Sequence, residues 1–187
     1  MPADSVRRAL YVLFGRLLAG PPDADLYRRL RAGGLKALAD VQGIDLSSDL
    51  LDENDAEASA SELSAEYARL ADLVSLRASD YGNDGEDAVI ALSRFLAEHK
   101  LRATKDLPCD HLSVTLGIMG ELAEAADGRG DASSRRVARD FFRRYLAPWA
   151  LAALAEVSAK AERRYYRGVA AMASAFLESE RRQYEAA

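Results

Sequence analysis

The side chains that could do chemistry are concentrated in one short run, Leu-Pro-Cys-Asp-His-Leu at residues 107–112. It contains Asp110, one of only two histidines (His111) and the only cysteine (Cys109). A carboxylate beside an imidazole can transfer protons, and a thiolate can act as a nucleophile. Neighbours in sequence do not make a catalytic arrangement, however, and a single buried cysteine is usually structural. We therefore predict that the chain is not an enzyme.

The sequence also argues against the common metal and nucleotide sites. Two histidines and one cysteine are too few for a zinc centre, and neither histidine follows a glutamate by three residues, as a di-iron bundle requires. The acidic turn at residues 80–85 lacks the ligands of a calcium loop at the third and twelfth positions. No Gly-x-x-x-x-Gly-Lys loop is present. We predict neither a metal nor a bound cofactor.

Asp110 has a structural interpretation as well. Pro108 followed by Asp110 is typical of a helix start, where a carboxylate caps unpaired backbone N–H groups. His111 would then be a half-buried, hydrogen-bonded residue. The pair Pro148–Trp149, which contains the only tryptophan, could likewise be a helix kink filled by a large ring. From the residues alone, a helix cap and a binding site both stay open.

The spacing of apolar residues predicts helices along the whole chain and no strands. The segments that mark these helices are Val6 to Leu17, a start at Pro21 to Asp23, Leu63 to Val74, Val89 to Leu96, Leu112 to Met119, residues 133–157 with a kink or break at Pro148, and Tyr165 to Phe176. A chain of 187 residues can bury one sizeable core. We expect a single all-α domain over residues 1–187, a bundle of about six to nine helices.

Charge and hydropathy restrict the partners and the compartment. The net charge of −5 argues against binding to nucleic acid, and no apolar stretch approaches the ~20 residues needed to span a bilayer. The arginine pair at residues 7–8 superficially resembles an export signal, but Arg16 interrupts the apolar stretch and no cleavage site precedes Pro21. A single cysteine suits a reducing compartment. We predict a cytoplasmic protein.

Residues 40–61 are predicted to form a polar, acidic connector. Between Asp40 and Glu66 the chain has nine acidic residues and no lysine or arginine. Such a run is usually a solvated linker, but it could also be an electronegative rim that attracts an arginine-rich ligand. The second interpretation gives an alternative function, a helical adaptor that binds another basic partner through this connector.

Together, the two distinctive runs resemble the TorD/DmsD/NarJ family of redox-enzyme maturation chaperones. A Pro-x-Asp-His-Leu run at a helix start, here residues 108–112, precedes a Phe-x-x-x-x-Leu-x-Pro-Trp run, here residues 141–149. The Glu-Tyr-Ala-Arg-Leu run at residues 66–70 and the opening Arg8–Phe14 are also similar. The resemblance covers about residues 6–180, and the order and spacing of its elements make it more specific than any one of them.

The resemblance implies an all-helical cytoplasmic chaperone. Such proteins bind the twin-arginine signal peptide, or the equivalent N-terminal segment, of the catalytic subunit of a molybdopterin-containing oxidoreductase until its cofactor is inserted. It implies Asp110 as the acceptor of an arginine or as an orienting carboxylate, with His111 as its polar neighbour. Tyr67 and Leu70 would form a groove wall, and Pro108 would shape the loop.

The resemblance implies a supporting role for Leu112, Pro148 and Trp149, which would fix the packing around the groove. The family's Pro-Tyr-x-Ser-x-Tyr run after the third helix is absent, and a shorter connector occupies residues 78–85. We expect a monomer, with a dimer formed by exchange of segments as the alternative.

Overall fold

The computed structural model describes residues 3–30, 32, 56–82, 85–103 and 106–186. The α-helices are α1 (Ala3–Ala19), α2 (Ala24–Arg29), α3 (Ala56–Leu73), α4 (Gly85–Glu98), α5 (Leu112–Arg129), α6 (Ala132–Phe141), α7 (Ala147–Lys160) and α8 (Arg164–Ala186). A 3-10 turn at Ala78–Asp80 and a π-helical segment at Phe142–Leu146 complete the elements. Within these residues there is no strand, only an isolated antiparallel bridge between Arg77 and His111. The predicted all-α fold is confirmed.

Local side-chain caps set several helix boundaries. The Oδ1 of Asp23 accepts a hydrogen bond from the backbone N–H of Leu26 at 2.7 Å, so α2 begins where the sequence predicted a start. Asp131 caps α6 in the same way through the N–H of Ser134. Just before α6, helix α5 ends at Gly130. The φ of this residue is 62°, a value that is readily adopted only by a residue without a Cβ.

The predicted connector is shorter than expected at its C-terminal end. Helix α3 begins at Ala56, so residues 56–61 are helical rather than part of a linker. These residues include three alanines and one glutamate, which have high helix propensity and outweigh the polar character of the segment. The remainder of the predicted connector, residues 40–55, lies outside the described residues.

The cap of α5 is His111 and not Asp110. His111 has an extended backbone, and its Nδ1 accepts a hydrogen bond from the N–H of Ser113 at 3.2 Å. Asp110 stands one position too early to cap the helix. Its carboxylate instead accepts hydrogen bonds from Arg77 and Ser79, which lie in the segment after α3. The predicted helix start near residues 108–110 is therefore correct in position but wrong in the residue that caps it.

The expected kink near Pro148 takes the form of the π-helical segment Phe142–Leu146. Ala147 donates its N–H to the carbonyl five residues earlier, as in a π-helix. Pro148 has no N–H to donate and its ring crowds the preceding turn, which explains why the α-helical ladder is interrupted here. The indole Nε1–H of Trp149 donates to the carbonyl of Tyr145 at 2.8 Å and so satisfies one acceptor of this turn.

The described residues fall into two compact units. The first unit comprises the chain up to Ala19, Leu76–Ala152 and the residues from Arg181; the second comprises Gly20–Ser75 and Ala153–Glu180. In the first unit α1 packs along α5, and α6 follows against α5. In the second unit α2 packs on α3. The single domain over residues 1–187 remains a prediction.

The packing of α1 on α5 depends on two glycines. A Cβ at Gly15 would lie 3.1 Å from the carbonyl oxygen of Ser113, and one at Gly120 would lie 3.2 Å from the Cβ of Tyr11. The helices therefore approach more closely than larger residues would allow. The largest fully buried side chains of this unit are those of Tyr11, Phe14 and Leu17 in α1, Leu92 in α4, Leu112, Leu116 and Met119 in α5, Phe141 in α6, and Phe142 and Leu146 in the π-helical segment. Among the described helices, none has the length and apolar character that crossing a bilayer requires.

Candidate functional site

The carboxylate of Asp110 is buried and bound on both oxygens. Only 1% of the residue is exposed. Its Oδ1 accepts a hydrogen bond from the Nε of Arg77 at 3.3 Å, and its Oδ2 accepts one from the backbone N–H of Ser79 at 3.2 Å. Arg77 itself is 45% exposed. The buried carboxylate therefore holds in place Arg77, whose side chain is partly exposed at the surface.

Backbone hydrogen bonds reinforce this attachment. The N–H of Ala78 donates to the carbonyl of Asp110 at 3.0 Å, and the N–H of Leu112 donates to the carbonyl of Leu76 at 2.7 Å. We call residues 76–82 the 76–82 loop. The loop is thus fixed at its N-terminal end against the start of α5, through main chain and side chain together.

Asp110 is ionised at neutral pH. Burial of its carboxyl group opposes ionisation, but the hydrogen bonds from the hydroxyl and the N–H of Ser79, together with the charge of Arg77, outweigh that cost and hold the pKa below its usual value. A buried carboxylate satisfied by hydrogen bonds and an adjacent cation is a stable anchor for the loop.

His111 is neutral and faces the same cluster. Burial lowers the pKa of its imidazole, the charge of Asp110 opposes that effect, and the charge of Arg77 adds to it. Because Nδ1 accepts from Ser113, it needs its lone pair, and the ring proton resides on Nε2. The carbonyl of Pro108 accepts from the N–H of His111 at 3.0 Å and closes the turn before α5.

The C-terminal end of the 76–82 loop rests on an aromatic ring. Tyr81 stacks on Trp149, with ring centroids 5.9 Å apart and an interplanar angle of 28°. Trp149 is buried and held by its bond to the carbonyl of Tyr145. Pro148, next to it, is exposed. The two distinctive runs of the sequence therefore meet through the loop: the first holds Asp110 and the second holds Trp149.

The second unit contains the other predicted site residues, Tyr67 and Leu70. Tyr67 is half-buried, its ring centroid lies 6.1 Å from that of Tyr166, and burial raises the pKa of its hydroxyl. Leu70 is buried in the core. The structure thus brings together Pro108, Asp110, His111 and Leu112 in the first unit, and it places Tyr67 and Leu70 side by side on α3 in the second.

A second buried carboxylate organises the second unit. Glu66 accepts two hydrogen bonds from Arg69, from Nε and Nη2, both at 2.9 Å. Its Oε1 also accepts from the backbone N–H groups of Glu162 at 2.7 Å and Arg163 at 3.3 Å, just before α8. The hydrogen bond with Arg69 holds the pKa of Glu66 below its usual value, and it does so against the effect of burial. Helix α3 is thereby fixed to the α7–α8 connection.

Sequence reasoning missed Arg77, Ser79, Glu66 and Arg69 as parts of these clusters. The spacing of Glu66 and Arg69, three residues apart on one helix, was a readable signal for an ion pair. Arg77 and Ser79 are more than 30 residues from Asp110 in sequence, and no local pattern indicates their contact. In the described residues no group of three or more potential metal ligands converges.

Comparison with known families gives one match. A family model described as nitrate reductase delta subunit matches residues 16–155. That segment includes the runs at 66–70, 107–112 and 141–149 and the whole 76–82 loop. No curated protein and no solved structure matches the chain. The family consists of chaperones for molybdoenzyme assembly, not of catalysts. Because the match covers well over half of its length, the chain belongs to the nitrate reductase delta subunit family of NarJ/TorD-type chaperones.

Proposed function

We propose that this protein is a cytoplasmic chaperone that binds the twin-arginine signal peptide, or the equivalent N-terminal segment, of the catalytic subunit of a molybdopterin-containing oxidoreductase. In this role it assists cofactor insertion, assembly and export of that subunit. The observation that carries the proposal is the family match over residues 16–155. Partners of this family are nitrate reductase-type molybdoenzyme subunits.

The chemistry of the 76–82 loop suits the proposal. Paired arginines need carboxylates, and the apolar stretch of a leader needs aromatic or aliphatic surface. Asp110 is buried and both its oxygens are occupied, so we assign it as the orienting carboxylate rather than the acceptor. The exposed Asp80, which follows Ser79 in the loop, is the carboxylate we assign to a leader arginine.

We assign Tyr67 to the apolar part of the leader. Its ring is half-buried and lies at 45° to the ring of Tyr166, so part of the side chain is accessible while the contact fixes its position. Leu70 of α3 is buried, so we assign it to the packing of that helix and not to contact with the peptide. The start of α5, which follows Asp110, is shaped by Pro108, His111 and Leu112.

The decisive experiment is a calorimetric titration with a synthetic twin-arginine leader peptide from the catalytic subunit of a molybdopterin-containing oxidoreductase. The matched control peptide carries two lysines in place of the arginine pair. We expect binding that weakens with added salt, and an affinity about tenfold lower for the lysine peptide, since lysine cannot form the bidentate contact. No binding of the leader, or equal binding of a scrambled peptide, would refute the proposal.

The site assignment has its own test with the same peptide. Asp80→Asn and Tyr67→Ala should each weaken binding, while Asp106→Asn, which removes a second exposed carboxylate of the first unit, should not. If the leader binds wild type but all three variants match it, the proposed function stands and the assignment of these residues is wrong.

A further inference from the structure

A cleft of about 380 Å³ opens in the first unit, where α1, α6 and the last turns of α5 and α8 meet. Four arginines line it: Arg7, Arg135, Arg136 and Arg139. Asp127 is the acidic residue of the lining. None of the lining residues belongs to the 76–82 loop, so the cleft is a separate feature of the molecule.

The charge of the cleft is opposite to that of the protein. The chain carries a net charge of −5, yet four guanidinium groups face one carboxylate here. Asp140 lies outside the lining and approaches only Arg136, at 3.8 Å, with 76% of the arginine side chain exposed. Such an exposed pair is weak, so Arg136 can exchange this carboxylate for a ligand anion. A local positive excess in an acidic protein attracts anions specifically to this cleft.

Arg7, one of the lining residues, is held in place by two contacts. Its Nη1 lies 3.3 Å from Oδ1 of Asp127, and its guanidinium carbon lies 4.9 Å from the centre of the Tyr184 ring. Only 17% of its side chain is exposed. The carboxylate and the ring orient this guanidinium before any ligand arrives, which lowers the entropic cost of binding.

The other three arginines share one face of α6. Arg135 and Arg139 are four residues apart, so they lie one turn from each other, with Arg136 beside them. Arg135 donates from Nη2 to the carbonyl of Gly130, which fixes it at the start of the helix. Among the described residues, no ion pair or side-chain hydrogen bond engages the guanidinium of Arg139. That group is available to a ligand.

We propose that this cleft binds the diphosphate group of a small molecule. A guanidinium fork matches the oxygens of a phosphate bidentately, and two linked phosphates carry about three negative charges, which balance the excess of the lining. The volume is at the lower end of the range for small-molecule sites. Arg139 and Arg135 contact the phosphates, and Arg7 completes the site.

The test is a calorimetric titration with inorganic pyrophosphate in a buffer without other multivalent anions. Arg139→Gln and Arg135→Gln should each weaken binding about tenfold, the effect of losing one charged hydrogen-bonding group. Arg94→Gln is the matched control, because it removes the same charge from an exposed position on α4 and should change the affinity less than about twofold. Thermal unfolding of each variant establishes that it is folded.

A second titration with ADP identifies the source of the diphosphate. Binding of ADP at least as tight as that of pyrophosphate indicates a nucleotide-type ligand, and weaker binding indicates a free diphosphate. The proposal is overturned if pyrophosphate does not bind at millimolar concentrations, if Arg94→Gln weakens binding as much as Arg139→Gln, or if a hexaglutamate peptide binds the cleft more tightly than either phosphate compound.

Discussion

The Nε of Arg77 lies 3.3 Å from Oδ1 of Asp110, so the buried acid of the Pro-x-Asp-His-Leu run already has an arginine partner within its own chain. The side chain of Asp110 is 2% exposed and that of Arg77 is 45% exposed. A leader arginine could reach this carboxylate only by displacing Arg77. Asp110 can therefore contribute to peptide binding in two different ways. It can accept a leader arginine directly, or it can anchor the 76–82 loop through Arg77.

The first prediction concerns the anchoring role of Asp110 in the absence of any peptide. Asp110→Asn removes the charge that Arg77 and Ser79 bind, and we expect the first unit to lose about 1–3 kcal/mol of stability, the usual effect of losing charged hydrogen bonds at a buried group. The amide protons of Ala78 and Ser79 should exchange faster, since the loop is released. Asp106→Asn is the control and should change urea unfolding by less than about 0.5 kcal/mol. Equal exchange in both variants would show that the carboxylate does not hold the loop.

The second prediction separates the two roles of Asp110 by the sign of an affinity change. If Asp110 is an orienting carboxylate, Arg77→Ala loosens the 76–82 loop and weakens leader binding by about threefold to tenfold, because the loop must then be ordered on binding. If Asp110 is the acceptor, Arg77→Ala removes an internal competitor and the leader binds more tightly. We expect weakening, measured by titration with the leader peptide. Arg94→Ala, an exposed arginine of α4, serves as the control.

The third prediction concerns pH. The folded protein holds the pKa of His111 below its ordinary value of 6.5, so the folded state binds fewer protons there than the unfolded state does. The stability from this group is therefore complete above about pH 6.5 and decreases as the pH falls through the lower pKa of the folded protein. Protonation of Nδ1 also breaks the bond from Ser113 that caps α5.

His111→Asn tests this reasoning, because asparagine can cap a helix without titrating. Urea midpoints measured between pH 7.5 and 5.5 should fall with pH in the wild type and fall less in the variant. His99→Gln removes the other histidine of the chain and should retain the wild-type slope. A slope lost in His99→Gln but kept in His111→Asn would contradict the assignment.

Which parts of this structure were predictable depended on how far apart the interacting residues are in sequence. Asp23 was recognisable as a cap because its partner, Leu26, is three residues away. The choice between Asp110 and His111 as the cap of α5 was not, since adjacent residues both had suitable side chains. Arg77, 33 residues earlier, takes the carboxylate and leaves the imidazole to the helix. Only the folded chain reveals that competition.

The kink at Pro148 illustrates the same limit in another form. Proline predicts that the α-helical ladder is interrupted, because this follows from its own missing N–H. The sequence does not predict a π-helical turn rather than a sharp break. At this turn the indole of Trp149 donates to the carbonyl of Tyr145 and stacks with Tyr81, a residue of a separate segment. The family motif contains Pro148 and Trp149 without specifying their geometry.

The fourth prediction concerns the buried carboxylate of the second unit. Glu66→Gln removes the charge that Arg69 and the two N–H groups before α8 bind, and we expect a loss of about 1–3 kcal/mol. The pKa of Glu66 is below its ordinary value of 4.5, so its contribution is present above about pH 4.5 and decreases as the pH falls further. Glu62→Gln is the control. Glu62 pairs with Arg163 at 2.9 Å, but both side chains are nearly half exposed, so the loss should stay below about 1 kcal/mol.

The fifth prediction uses Trp149 as a reporter, because it is the only tryptophan in the chain and stacks on the 76–82 loop. Tyr81→Ala should expose one face of the indole, shift its emission to longer wavelength and cost about 1 kcal/mol of stability through the lost ring contact. Tyr145→Phe keeps the carbonyl that binds the indole and should leave the emission unchanged.

A leader peptide that binds at the loop must alter the Trp149 emission of the wild type, and the change must disappear in Tyr81→Ala. Binding without any change in that emission would place the peptide away from this loop.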